Sequence, residues 1–277
     1  MPVVDSPLSV AFSAGLRRTT DNGQLTVRFF NLITQFTMTE NFTNKPAPNI
    51  DAAEIAKFEA MAPIWWDRQG DFKALHDINV LRLNYINQRA PLAGKSVLDV
   101  GCGGGIFSEA MASLGAKVAG IDMGVAALGV ARLHLRESGH EVAYQKSTAE
   151  QFAKIYPDQF DVVTCLELLE HVPDPASVIT ACKDLVKPGG DVFFATINRN
   201  LKAFIFAIIG AEYILGLVRK GTHTYGKFIQ PAELQNWSAA AGLSFMDLTG
   251  LHYNPIIKRY TLGGNTHVNY LMHFGRI

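Results

Sequence analysis

The sequence lacks a charge excess, a cysteine framework and a long hydrophobic run. Its 25 Lys and Arg residues balance 25 Asp and Glu residues, which argues against nucleic-acid binding because that binding needs a basic surface. The three cysteines, Cys102, Cys165 and Cys182, have no metal-ligand spacing, and so few thiols are typical of the reducing cytosol. No run of eighteen apolar residues occurs, so we expect no membrane-spanning helix.

The first fifty residues carry no sustained hydrophobic period and are rich in Thr, Asn and Pro. We expect residues 1–50 to form a disordered extension. Because this segment contains Arg17, Arg18 and few acids, its composition is similar to that of an organelle transit peptide. Alternatively, Met38 is the natural start of the chain. Regular structure is expected only within 51–277.

From residue 94 onwards, short apolar runs alternate with segments of helical spacing. The runs predict strands at 96–100, 117–121, 142–145, 160–165 and 191–197. The intervening segments predict helices at 105–114, 124–138, 149–156 and 175–186. Continuous apolar strands joined by helical crossovers form a parallel sheet that is buried on both faces. The sequence therefore predicts a doubly wound α/β domain.

Further elements are expected on both sides of this pattern. Asp51 is an acidic N-cap with Glu54 three residues later, a spacing typical of a capping box at the start of an amphipathic helix. After the parallel strands, the sequence predicts a helix over 231–242. Two last strands are expected near 243–249 and 268–274, joined by a long loop.

Four glycines occupy five positions directly after the first predicted strand, in the segment VLDVGCGGG. A strand that ends in glycines before a helix is typical of a nucleotide-binding turn. The dinucleotide fingerprint requires a small residue where this chain has Ile106. Gly101, Gly103 and Gly105, preceded by Asp99, instead give acid-x-Gly-x-Gly-x-Gly. That pattern resembles the first motif of class I methyltransferases, which use S-adenosylmethionine.

A second acid stands at the end of the second predicted strand, in the segment GIDMG. At this place Asp122, followed by Met123, could accept hydrogen bonds from both hydroxyls of a ribose. NAD enzymes carry an acid at the same place, so Asp122 does not separate the two classes. The segment LVKPGGDVFF at 185–194 favours the methyltransferases, because it is similar to the turn that leads into their fifth strand.

Longer blocks make the resemblance specific. EIAKFEAMAPIWWD, LDVGCGGGIFSEAMA, LEHVPDP, LVKPGGDVFFATINRN and GLHYNP, within about 54–274, together resemble the ubiquinone biosynthesis O-methyltransferases. The resemblance implies a seven-stranded, mostly parallel Rossmann-like sheet with N-terminal helices and a helical insertion after the fifth strand. It also implies that S-adenosylmethionine contacts Arg82, Gly101, Asp122 and Leu166.

The activity implied by this resemblance is methylation of phenolic hydroxyls on a polyprenyl catechol and on a demethylated ubiquinol. The implied location is cytoplasmic, at the inner face of the membrane, with possible contacts to other enzymes of the pathway. Three alternatives stay open at this point: methylation of nitrogen or carbon in another small molecule, an NAD-dependent oxidoreductase, and a non-catalytic membrane-associated assembly protein.

The segment LELLEHVPDP follows the fourth predicted strand, where ligands bind in such sheets. It places Glu167, Glu170 and His171 at positions i, i+3 and i+4, one face of a helical turn. We expect His171 to be the general base, with Glu170 or Glu167 orienting its ring. Alternatively, the three side chains hold a divalent cation, because carboxylates with one imidazole and water suit magnesium or manganese better than zinc.

Residues 198–228 are dense in apolar side chains, with Lys202, Arg219 and Lys220 among the flanking cations. A helix with basic ends can lie in an anionic membrane interface. The alternative is a lid that covers the active site. Because a polyprenyl substrate resides in the bilayer, we favour peripheral membrane contact.

Overall fold

A computed structural model describes residues 49–200, 225–254, 257 and 259–277. The predicted extension at 1–50 lies outside these residues except for its last two positions. Most of the predicted insertion, residues 201–224, also lies outside them. Within the part of the chain that is described, no helix is both long enough and apolar enough to cross a bilayer.

The N-terminal helix starts where the sequence predicts. The Asp51 carboxylate accepts hydrogen bonds from the backbone N–H groups of Ala53 and Glu54, at 3.0 and 3.3 Å, and so satisfies two donors of the first turn. The Glu54 carboxylate turns away to other partners, which are described below. The elements of this region are α1 (Ala52–Met61), a 3₁₀ turn (Ala62–Ile64) and α2 (Lys73–Arg89).

One mixed sheet forms the centre of the fold, in the order β3-β2-β1-β4-β5-β8-β6-β7. Strands β1 to β5 are parallel, and β8 runs antiparallel between β5 and β6. The strands are β1 (Ser96–Val100), β2 (Lys117–Asp122), β3 (Val142–Lys146), β4 (Phe160–Leu166), β5 (Val186–Ile197), β6 (Ser244–Asn254), β7 (Arg259–Leu262) and β8 (Asn269–Gly275). The helices that follow α2 are α3 (Ile106–Ser113), α4 (Val125–Ser138), α5 (Ala149–Ile155), α6 (Pro175–Leu185) and α7 (Pro231–Ala240). The doubly wound, mostly parallel α/β fold is confirmed.

The strand count differs from the prediction, because the described residues form a sheet of eight strands and not seven. The expected long loop contains β7, which forms a hairpin with a longer β6, with Leu251 opposite Leu262. Tyr253 and Tyr260 pair across this hairpin with ring centroids 4.7 Å apart. Such cross-strand pairs stabilise a hairpin, but β7 is only four residues long and partly exposed, so the sequence contains no apolar run that marks it.

Strand β5 also starts earlier than predicted. Val186 pairs with Phe160, and the register then shifts between Phe160 and Val162. The shift accommodates the Pro-Gly-Gly segment at 188–190 as an irregularity inside β5. The sequence analysis had predicted that this segment forms a turn that precedes the strand.

The glycine-rich segment lies under the N-terminal region. A Cβ atom on Gly103 would lie 2.3 Å from Trp65 Cζ2, and one on Gly104 would lie 2.4 Å from the same indole. The Trp66 indole N–H donates to the Gly104 carbonyl at 2.8 Å, and Trp65 stacks on Phe72 with centroids 4.3 Å apart. The bare backbone at 103–104 therefore admits a tryptophan, which fixes the N-terminal region over the carboxyl edge of the sheet.

This packing predicts the effect of Gly104→Ala. We expect the free energy of unfolding to fall by about 1–3 kcal/mol, because the new methyl group overpacks the Trp65 contact. Urea unfolding measures this change, and Trp65→Ala should abolish the effect, since it removes the clash.

Gly129→Ala is the matched control. Gly129 lies inside α4, and a Cβ atom on it would have no heavy atom within 4 Å, so we expect a gain of about 0.5–1 kcal/mol. Equal effects of the two alanines would contradict the packing argument.

Candidate active site

A cavity of about 660 Å³ lies at the carboxyl edge of the parallel strands, and α1 and α2 form part of its wall. Cavities of roughly 300–1,000 Å³ accommodate ligands of cofactor size. The cavity brings together ten of the eleven predicted site residues: Arg82, Asp99, Gly101, Gly103, Asp122, Met123, Leu166, Glu167, Glu170 and His171.

Asp99 is a buried carboxylate inside the sheet, 3 % exposed. Its two oxygens accept hydrogen bonds from Ser108 Oγ at 2.6 Å and Thr164 Oγ1 at 2.8 Å. Burial raises the pKa of Asp99 to about 6 and outweighs these two hydrogen bonds, which act in the opposite direction. Because only two hydroxyl groups donate to it, the Asp99 carboxylate can also interact with a cation in the cavity.

Asp122 ends β2 and holds two loops together. Its Oδ2 accepts from the backbone N–H of Gly103 at 2.9 Å, and its Oδ1 accepts from that of Gly124 at 2.7 Å. Burial raises the pKa of this carboxyl, although both backbone donors oppose the shift. Each carboxylate oxygen has a second lone pair, so Asp122 retains acceptor capacity towards a bound polyol.

Gly105 does not line the cavity, unlike Gly101 and Gly103. It is the N-cap of α3 with φ +86°, and a Cβ atom there would lie 2.3 Å from the Tyr144 hydroxyl oxygen. The glycine is therefore required by a left-handed turn and by packing against β3. The sequence analysis had predicted that Gly105 contacts the cofactor.

Arg82 projects from α2 and is 4 % exposed. Its Nη2 donates to Glu167 Oε1, while its Nε is buried without a hydrogen-bond partner among the described residues. Glu167 follows β4 in a left-handed conformation, φ +56°, which is rare for a residue with a side chain and is often found at functional sites. Arg82 also lines the cavity.

Glu170 and Thr196 form a buried pair next to the cavity. Thr196 Oγ1 donates to Glu170 Oε2 at 2.8 Å, and burial, followed by the charge of Glu167, raises the pKa of Glu170. The other oxygen, Oε1, has no partner among the described residues.

The His171 ring contacts Glu54, where the sequence analysis had predicted that Glu170 or Glu167 would orient it. His171 Nδ1 lies 3.0 Å from Glu54 Oε2, and Phe58 meets the ring edge-to-face at 5.0 Å. The predicted helical face also differs, because only Leu169–His171 form a 3₁₀ turn, and Glu167 precedes it with positive φ.

The proposed divalent site does not fit this arrangement. Glu167 bonds to Arg82, Glu170 to Thr196 and His171 to Glu54, although the charge of Glu167 also acts on Glu170. Across the described residues, no group of three or more His, Cys, Asp or Glu side chains is placed to hold a metal ion. We therefore derive no step through a metal.

Sequence reasoning missed two residues of the site, Glu54 and Lys227. Lys227 Nζ lies 3.2 Å from Glu54 Oε1 and 2.9 Å from Asp51 Oδ2. The spacing of Glu54 from Asp51 had indicated a capping box, and that local explanation concealed a contact made across the fold. A clue was present: Asp51 alone is a sufficient N-cap, which leaves the Glu54 carboxylate available.

Comparison with known proteins agrees with this geometry. A family model described as a methyltransferase domain matches residues 72–247. The ubiquinone biosynthesis O-methyltransferase of Pseudomonas paraeruginosa is 65% identical over 224 residues, which cover 81% of this chain and 97% of the relative. The protein of the same name from Pseudomonas syringae pv. tomato is 63% identical over the same shares.

Solved structures support the fold. Magnesium protoporphyrin IX methyltransferase from Synechocystis, with bound S-adenosylhomocysteine, superimposes with a TM-score of 0.59 at 17% identity, covering 80% of this chain and 95% of its own. A possible histamine N-methyltransferase from Thermotoga maritima gives 0.58 at 18% identity, covering 81% and 100%. Because this chain is 63–65% identical to these relatives over 97% of their length, it belongs to the ubiquinone biosynthesis O-methyltransferase family, whose members use S-adenosylmethionine.

Proposed function

We propose that this chain transfers methyl groups from S-adenosylmethionine to phenolic hydroxyls of ubiquinone precursors, a polyprenyl catechol and a demethylated ubiquinol. The observation that carries the proposal is the cavity in which Asp99, Asp122 and Arg82 lie together with His171. The names of the relatives support an O-methylation in ubiquinone biosynthesis. Transfer of a labelled methyl group to a short-chain demethylubiquinol tests the proposal, and the absence of label in the quinol would contradict it.

The residues at the carboxyl edge fit the cofactor. Arg82, which lines the cavity, would bind the methionine carboxylate through its guanidinium, and Asp122 would accept hydrogen bonds from the ribose hydroxyls. Asp99 contributes negative charge on the side where the cofactor carries its positive groups. When bound, S-adenosylmethionine supplies a methyl group on a sulfonium, an electrophile that needs no further activation.

The difficulty lies with the acceptor oxygen. A phenol with a pKa near 10 is ionised in about one molecule in a thousand at neutral pH, equivalent to about 4 kcal/mol. A positioned general base typically contributes about 10²–10⁴-fold, which covers most of that penalty. His171 lines the cavity and is the proposed base.

The tautomer of His171 follows from its partner. Burial alone would raise the pKa of Glu54, but hydrogen bonds from Lys57 and Lys227 outweigh it and the net shift is downward. An ionised carboxylate only accepts, so Nδ1 carries the hydrogen and the lone pair lies on Nε2. Nε2 takes the phenolic proton while the oxygen forms its bond to the methyl carbon and the carbon–sulfur bond breaks.

The rest of the cavity wall suits an aromatic, apolar acceptor. Ile197, Leu251, Tyr253 and Tyr260 line it on the side of β5 to β7. Flat rings and branched aliphatic side chains pack against a quinol ring and the first units of a prenyl tail.

We also propose that the chain contacts the membrane peripherally through residues 198–228 and acts on the cytoplasmic side. The support is the composition of this segment, with dense apolar residues and flanking cations, together with a substrate that partitions into lipid. Most of the segment lies outside the described residues.

The buried charge of Asp99 predicts a pH-dependent stability difference. Because the folded-state pKa is about 6, well above the unfolded value, Asp99 contributes stability that is complete below about pH 4 and lost as the pH rises through 6. We expect the free energy of unfolding of Asp99→Asn, relative to the unmodified protein without cofactor, to rise by about 2–3 kcal/mol between pH 4 and pH 8. Urea unfolding across this range measures it.

Asp247→Asn is a control of opposite sign. Burial would raise the pKa of Asp247, but hydrogen bonds from Arg89 and Tyr85 outweigh it and lower the pKa. Its carboxylate therefore stabilises the fold throughout pH 4–8, and we expect this variant to be less stable at every pH in that range. A flat profile for Asp99→Asn would refute the assigned cause.

His171→Ala should separate chemistry from cofactor binding. We expect kcat to fall by about 10²–10⁴-fold, the usual contribution of a general base, while the Kd for S-adenosylmethionine stays within about threefold. Methyl-transfer kinetics and calorimetry measure the two quantities.

Arg82→Lys is the comparison variant, and it should weaken cofactor binding by about tenfold or more because an ammonium cannot replace a bidentate guanidinium. A His171→Ala variant with normal kcat and weakened cofactor binding would reverse the assignment. Loss of activity upon chelation, restored by Mg²⁺, would favour the ion in place of the base.

Membrane contact is tested by flotation with vesicles. We expect the full chain to float with vesicles that contain anionic phospholipid and to float less with zwitterionic ones, because basic side chains are attracted to anionic headgroups. Deletion of 202–218 should abolish the difference, and replacement of Arg219 and Lys220 by Gln should reduce it. Unchanged flotation of the deletion variant would discard this proposal.

A further inference from the structure

The end of β6 carries the segment GLHYN, residues 250–254, at the same edge of the sheet as the cofactor residues. Strand β6 is parallel to β5, because β8 runs antiparallel between them. Leu251 is level with Ile197, since both pair with Asn269. His252 therefore lies beyond the level at which β5 ends, and it lines the cavity on the side away from β1 and β2.

Two glycines make room for the His252 ring. Gly250 lies two residues earlier, on the same face of β6, and a Cβ atom on it would lie 2.8 Å from His252 Nε2. Gly264 covers the ring from the loop after β7, where a Cβ atom would lie 3.3 Å from Nε2 and 3.8 Å from Cδ2. This loop is fixed on β6, because the Gly263 N–H donates to Gly250 O at 2.9 Å. Packing against bare backbone thus holds the imidazole in place.

The packing leaves one edge of the His252 ring for a ligand. Nε2 and Cδ2 face Gly264, so Nδ1 lies on the opposite edge of the ring. Nε2 is buried without a hydrogen-bond partner among the described residues. A buried polar atom without a partner costs stability compared with an apolar side chain, so the packing of the fold does not by itself account for a histidine at this position.

The surroundings of His252 suit carbon better than oxygen. Apolar and aromatic side chains share the wall with it, among them Ile197, Leu251 and Tyr260, and they accommodate the ring face and the prenyl tail of either proposed acceptor. The acceptors differ in oxygen content, because a demethylated ubiquinol carries more oxygens on its ring than a polyprenyl catechol. A buried oxygen needs a hydrogen-bond partner, so the quinol requires a polar group in this wall that the catechol does not.

We propose that His252 is a specificity-determining residue, which binds through Nδ1 a ring oxygen that the demethylated ubiquinol has and the polyprenyl catechol lacks. An imidazole nitrogen can donate to such an oxygen or accept from its hydroxyl hydrogen. The residue thereby allows one cavity to methylate both acceptors. This inference rests on the proposed function, and it does not depend on which group removes the phenolic proton.

The test compares the two acceptors in one variant. We expect His252→Leu to lower kcat/KM for a short-chain demethylubiquinol, kept in its reduced form, by about threefold to tenfold, the effect of one lost hydrogen bond. For the catechol with the same prenyl chain, kcat/KM should change by less than about twofold, because that acceptor lacks the oxygen concerned. Transfer of a radiolabelled methyl group measures both values, and turnover of the catechol shows that the variant is folded.

Asparagine and glutamine identify the nitrogen involved. The side-chain amide of asparagine reaches the position of Nδ1, whereas that of glutamine reaches the position of Nε2. We expect His252→Asn to keep the ratio of quinol to catechol kcat/KM within about twofold of the unmodified chain, and His252→Gln to lower it about threefold to tenfold. His252→Gln also replaces His252→Leu should the leucine variant fail to fold.

His140→Leu is the matched control, because it makes the same chemical change at an exposed histidine outside the cavity lining. It should leave both kcat/KM values unchanged.

The outcomes separate this inference from the proposed function. An unchanged ratio in His252→Leu or His252→Gln, with the catechol still methylated, overturns the specificity role of His252. Equal ratios in His252→Asn and His252→Gln overturn the assignment to Nδ1. Transfer to neither acceptor by the unmodified chain contradicts the proposed function itself.

Discussion

The packing of Trp65 on the bare backbone of Gly103 and Gly104 is the contact on which the site depends. Side chains at these positions would occupy the space of the indole, and the indole holds the N-terminal region over the carboxyl edge of the sheet. That region contributes α1 and α2 to the cavity wall. The glycines therefore have two purposes: Gly101 and Gly103 line the cavity, and Gly103 and Gly104 admit the tryptophan that encloses it.

Several charged side chains of the site are buried, and some of their polar atoms lack hydrogen-bond partners among the described residues. Asp99 and Glu170 are buried where burial raises the pKa of each, and Arg82 Nε is a buried donor without a partner among the described residues. An unpaired buried polar group costs about 1–3 kcal/mol, so selection for stability alone would favour replacing it. A ligand that carries both a cation and a carboxylate satisfies both kinds of group at once.

The sequence predicted the elements well where their signals are local. Apolar runs and helical spacing located β1 to β4 and the helices between them, and Asp51 marked the start of α1. It failed where partners are remote. The His171 ring contacts Glu54, 117 residues earlier in the chain. Gly105, the N-cap of α3, illustrates the same limit, because the residue it packs against, Tyr144, lies in β3.

The use of Glu54 shows how one turn of helix can have both a local and a remote purpose. Since Asp51 already accepts from two N–H groups of the first turn, the helix does not need Glu54 as a second cap. The freed carboxylate joins α1 to His171 and to Lys227, which lies directly before the core residues Phe228 and Ile229. The position of the His171 ring is thereby tied to α1 and to the segment that leads into the core. Because His171 also lines the cavity, a substitution in α1 would reach the cavity through this contact although the helix begins more than a hundred residues earlier in the chain.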